Sequence, residues 1–89
     1  MTDTKDLYNF IAACVRAHIE VLGPVAALSV ARKISSLKIA DNGDALEVTG
    51  DPATAVEELK NAYFSFAGEA SQAIMRTLEA SHPELEHRA

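Results

Sequence analysis

Tryptophan is absent from this 89-residue chain, cysteine occurs once, and five residues in all are aromatic. The lone Cys14 has no partner for an internal disulfide, so the chain is not a disulfide scaffold and needs no oxidising compartment. Apolar runs are short, and none nears the roughly 20 residues that span a bilayer. The opening stretch, Met1-Thr2-Asp3-Thr4-Lys5-Asp6, is polar and acidic. A secretory signal starts basic and then turns apolar, so the expected setting is the cytoplasm, without a membrane partner. Positive charge is scarce too. The net charge is −5, and it is uneven: residues 1–40 carry five basic and three acidic side chains, residues 41–89 three basic and ten acidic. Phosphate backbones repel such a chain, which disfavours nucleic acid as a partner.

Small apolar residues are abundant. Sixteen alanines and an apolar fraction of 48% supply both helix propensity and a core. At 89 residues there is room for one core, worth about 4–13 kcal/mol in net stability. The expected organisation is a single helical domain over 1–80 and a flexible tail over 81–89, where His82-Pro83 ends the periodicity.

Helical spacing organises most of the chain. Leu7, Phe10, Ile11, Cys14, His18 and Leu22 form one stripe from an N-terminus near Asp3 or Thr4, and Tyr8, Ala12, Val15 and Ile19 form a second beside it. That apolar face is wider than a half-solvated helix requires. Gly23-Pro24 then ends one helix and starts the next, expected over 24–35 and burying Val25, Ala27, Leu28, Val30, Ala31 and Ile34. Between two short alternating runs lies Asn42-Gly43, the preferred pair for a two-residue β-turn. A hairpin over 37–48 closed there sets Ile39 opposite Leu46, Leu37 opposite Val48 and Lys38 opposite Glu47. Asp51-Pro52 opens a third helix with an inward stripe of Val56, Leu59, Tyr63, Phe66 and Ala67. Gly68 breaks it, and a fourth helix follows. The expected fold is α+β and helix-dominated, in the order ααββαα. A shift of 44 residues superposes parts of the two helical halves, which suggests a repeated helix–glycine–helix unit.

Chemistry-bearing patterns are sparse. Cys14 and His18 stand four apart on one face, as two metal ligands would, but His82 and His87 fall in the tail, so no metal site is expected. Asp41-Asn42-Gly43-Asp44 lacks the glycine and glutamate spacing of a calcium loop. No phosphate-binding loop, catalytic triad or cofactor motif is present, and the reading is non-enzymatic. The segment Phe66-Ala67-Gly68-Glu69-Ala70-Ser71-Gln72-Ala73-Ile74-Met75-Arg76 resembles the turn and recognition helix of a helix-turn-helix DNA reader. That resemblance implies a DNA-binding regulator. Arg76 is the one basic residue of the stretch, and the glycine-to-serine spacing is one residue too long.

A surplus of apolar surface remains. Phe64 shares its side of the third helix with Glu57, Lys60 and Asn61, away from the inward stripe. Aromatics in such places mark interfaces. The sequence therefore points to a small protein–protein interaction or regulatory module with a protein partner, a second copy (a homodimer) being the simplest. Phe64 is the foremost contact residue, followed by Tyr63, Tyr8 and Phe66. The alternatives are a carrier or sensor of an apolar small molecule held among the helices, and the DNA reader.

Overall fold

The stripe that begins at Leu7 makes a helix, α1 (Thr4–Leu22), and it turns Leu7, Phe10, Ile11, Cys14, Val15 and His18 inward. The structure, a computed structural model, describes residues 4–81. Gly23, at φ +88°, makes the break into α2 (Pro24–Arg32). Strands β1 (Leu37–Ile39) and β2 (Ala45–Val48) pair antiparallel, and α3 (Pro52–Ala67) and α4 (Glu69–Ser81) follow. The fold is the helix-dominated α+β order expected, with the hairpin between the second and third helices. The expected tail, apart from Ser81 at the end of α4, lies outside the described residues.

Asp51 starts α3 as its composition predicts: its carboxylate accepts from the Ala53 N–H at 3.2 Å and from the Thr54 hydroxyl at 3.0 Å. The second helix departs from expectation. It ends at Arg32 rather than near residue 35, and Val25 is 82% exposed instead of buried. Ala27, Leu28, Val30 and Ala31 set its inward face, and Val25 lies off that arc in the first turn. Ile34 still reaches the core from the turn after the helix.

The hairpin keeps the expected Leu37–Val48 and Lys38–Glu47 pairs but reaches them by another route. The Gly43 N–H donates to the Ala40 carbonyl at 2.9 Å, and the Ala40 N–H to the Asp44 carbonyl at 2.9 Å. The loop is thus three residues, 41–43, with Gly43 at φ +97° and no positive φ at Asn42. A two-residue turn needs positive φ at both central positions, and here only glycine supplies it. The longer loop moves the pairing by one, so Ile39 meets Ala45 rather than Leu46. A bulge before Glu47 moves it back. Leu46 is the extra residue and stands 64% exposed, which corrects its expected inward place.

Gly43 is also a contact point. A Cβ there would lie 2.9 Å from the Arg16 Cγ and 3.5 Å from a Val15 methyl, so the hairpin tip rests directly on α1. Arg16 bonds the Asn42 carbonyl at 3.3 Å and the Asp44 carboxylate; Arg32 bonds the Ile39 carbonyl at 3.0 Å and Asp41 at 2.8 Å. Since Ala40 directs its polar groups across the hairpin, Ile39 directs its own outwards, and Arg32 covers that edge. The Tyr8 hydroxyl covers the other, accepting from the Val48 N–H at 3.1 Å. Both strand edges are thereby occupied by side chains of the same chain.

The two helical hairpins align at an offset of 45 over their first helices and of the expected 44 over their second, where buried Ala27 and Ala31 correspond to buried Ser71 and Met75. Both turn at a positive-φ glycine, Gly23 and Gly68, which stand 45 rather than 44 positions apart. At that offset buried Ile11, Cys14 and His18 correspond to buried Val56, Leu59 and Tyr63.

Candidate functional site

The four aromatics expected at an interface part company. Tyr63 is fully buried, and its hydroxyl donates to the Ala27 carbonyl at 2.7 Å. It is core, and no partner reaches it in this fold. Tyr8 is half-buried at the hairpin edge, beside an open groove of about 600 Å³ bordered by Lys5, Asp44 and Leu46. Phe64 is half-buried against the core, in a groove of about 340 Å³ between α3 and α4. There Lys60 reaches Glu79 at 3.0 Å, so α4 lies over the side of α3 that carries Phe64. Phe66, expected to face inward, is 55% exposed. Because α4 leaves α3 toward Phe64, the opposite flank of the last turn stays bare.

Among the described residues, the large apolar side chains that remain exposed are Val21, Val25, Leu46 and Phe66. Val21 and Val25 each stand two residues from Gly23, and Phe66 stands two before Gly68. Those turns share one end of the bundle, since Tyr63 near the end of α3 bonds Ala27 in the first turn of α2. At the same end His18 of α1 bonds Ser71 in the first turn of α4. From Val21 an apolar groove of about 270 Å³ runs between α1 and α4, lined by Ala17, Ala73, Ile74, Thr77 and Leu78, with Glu20 as its charged member. Sequence reasoning missed Val21. It lies on neither inward stripe, and that was the available signal.

Beneath this end lies a sealed polar joint. His18 and Ser71 are both fully buried. The imidazole Nδ1 sits 2.8 Å from the Cys14 carbonyl, and Nε2 sits 2.9 Å from the Ser71 hydroxyl. A carbonyl only accepts, so Nδ1 carries a proton. The Ser71 oxygen also lies 3.1 Å from the Tyr63 carbonyl. The His18 ring stacks on Tyr63, with centroids 3.6 Å apart and planes 8° from parallel. Burial holds the His18 pKa below its ordinary 6.5, against the opposing effect of the Cys14 carbonyl. Burial likewise pushes the Cys14 thiol up to about 12, though the positive charge of Lys60 pulls the other way. The Tyr63 phenol is raised too, by burial first and then by Cys14.

A serine bonded to an oriented histidine has the outline of a nucleophile and its base. Here the hydroxyl is walled in by α1, α3 and α4, and no substrate carbonyl reaches it in this conformation. Cys14 and His18 do come together, with Sγ 3.8 Å from Nδ1, but the Cys14 thiol points to the Met75 sulfur at 3.9 Å. Among the described residues no group of three or more histidine, cysteine or acidic side chains gathers around a common point. The segment that resembles a DNA reader forms the end of α3, Gly68 and α4. One residue separates those helices, where a helix-turn-helix uses a turn of three or four. Arg76 shares α4 with Glu69 and Glu79. Among the described residues no helix is long and apolar enough to cross a membrane. No family model, curated protein or solved structure matches the chain.

Proposed function

We propose that this chain is a small interaction module that associates with a second copy of itself through the end of the bundle bearing Gly23 and Gly68. One observation carries the reading: Val21, Val25 and Phe66 stay more than half exposed there, each two residues from a turn glycine. Scattered exposed hydrophobes are ordinary, whereas a concentration of them at one end is the mark of a contact surface. A two-fold pairing is the simplest way to cover such a surface, because the same patch then serves both partners. The apolar groove from Val21 to Leu78 extends the surface along α1 and α4. Of the aromatics, Phe66 is the one we assign to the interface. The compartment we assign is the cytoplasm, supported by the lone buried thiol of Cys14, which calls for no oxidising environment.

Light scattering after size exclusion tests this. Wild-type protein is expected to elute with the mass of a dimer, dissociating on dilution. A Val21→Glu/Phe66→Glu variant is expected to be monomeric with its melting temperature nearly unchanged, since both side chains are exposed in the single copy. A wild-type monomer at the highest attainable concentration rejects self-association.

A further inference from the structure

The sealed joint holds α4 in place, and its chemistry makes that hold conditional. α4 buries two residues, Ser71 and Met75. Both land on one pair of α1: Ser71 on the His18 Nε2 at 2.9 Å, Met75 on the Cys14 thiol at 3.9 Å. Each face of the neutral ring has a fixed role. Nδ1–H donates to the Cys14 carbonyl, so Nε2 is an acceptor, and the single Ser71 proton must point at it. That leaves Nε2 as the one place where another proton can go. When it arrives, Nε2–H donates to the Ser71 oxygen, and the Ser71 hydroxyl swings to the Tyr63 carbonyl 3.1 Å away. The His18–Ser71 bond survives with its direction reversed, and the Ser71–Tyr63 bond is added.

The charge is the difficulty. The titratable and charged groups around the joint are Cys14 on α1, Tyr63, Lys60 and Glu57 on α3, and Glu79 on α4, while α2 contributes the Ala27 carbonyl that receives the Tyr63 hydroxyl. Cys14 and Tyr63 are neutral, and Glu79 is taken up by Lys60 at 3.0 Å. No acidic side chain bonds the His18 ring, whose hydrogen-bond partners are the Cys14 carbonyl and the Ser71 hydroxyl. A buried cation without a counter-charge must recruit water. Water enters most readily behind the wall held least, and that wall is α4, the helix with two buried residues.

We propose that α4 is an acid-released arm: protonation of His18 at Nε2 loosens α4 from α1 while α1, α2, α3 and the β-hairpin stay folded. The proposal does not rest on self-association, and its test reads the single chain. Amide hydrogen exchange, corrected for intrinsic rates, is measured between about pH 8 and pH 5. Below the ordinary histidine value of 6.5, the opening of α4 is expected to increase by up to tenfold per pH unit, with α1 and α3 unchanged. Nitrogen-15 shifts of the His18 ring are expected to show the Nδ1–H neutral form at the alkaline end, and its titration midpoint is expected to match the loss of protection in α4. His18→Gln is expected to abolish the response, while His82→Gln/His87→Gln retains it. Equal loss in all helices, a response that persists in His18→Gln, or an Nε2–H neutral form overturns the proposal. Should His18→Gln fail to fold, the wild-type comparison decides alone: a ring midpoint that differs from the α4 transition overturns it equally.

Discussion

Around His18, Tyr63 and Ser71 the polar groups bond one another without touching solvent, whereas at the hairpin tip Arg16 and Arg32 make their bonds in the open. The first fixes α4 against α1, and the second fixes the hairpin against α1 and α2. In the first, every donor and acceptor was taken from water, so the loss of any partner leaves a group stranded in a low dielectric. At the tip, water replaces whatever is removed, and side chains 45–52% exposed in the Arg16–Asp44 pair gain little from each other. What holds the tip is steric instead: a glycine pressed onto α1, at a backbone angle that a side chain resists.

Three substitutions would sharpen or break that contrast. The largest effect is expected at Tyr63→Ala, which empties the centre of the core, removes the second hydrogen bond of the Ala27 carbonyl and uncovers the His18 ring face. A loss of about 3–5 kcal/mol in urea unfolding is expected, a large part of the whole. A loss under about 1 kcal/mol would mean that the joint is not the centre it is taken to be. Gly43→Ala comes next, at about 1–2 kcal/mol, from a strained φ together with a Cβ only 2.9 Å from Arg16 Cγ. The double change Gly43→Ala/Arg16→Ala separates the two causes, because it relieves the contact and leaves the strain. Arg16→Ala alone is expected to shift stability by less than about 1 kcal/mol, and added salt is expected to weaken the wild type by a comparable amount. A larger, salt-independent loss would place the hold on the tip in the arginine rather than in the glycine.

Much of this architecture could be read directly. Gly23-Pro24, Asp51-Pro52 and Gly68 mark helix boundaries because each supplies a backbone or capping property that few residues share. The Leu37–Val48 and Lys38–Glu47 pairs were legible for a similar reason, as alternation leaves one register that keeps the apolar side chains together. The interface residues were less so. Phe64 and Phe66 exchanged the roles that helical spacing gave them, since a helical wheel shows which residues share a side but not which neighbour covers it. The His18–Ser71 bond joins positions 53 apart in the chain, and no local pattern connects them.

The sequence by itself determined the element order, the turn glycines and the general sidedness of each helix, all of which follow from forces acting within a few residues. The direction in which α4 leaves α3 was decided only in three dimensions, and with it the burial of Ser71 and the exposure of Phe66. So was the one-residue slip of the hairpin, made at Gly43 and undone at Leu46. Those outcomes turn on how separate elements fill one volume, where a ring, a hydroxyl and a carbonyl from three helices either meet within hydrogen-bond distance or do not.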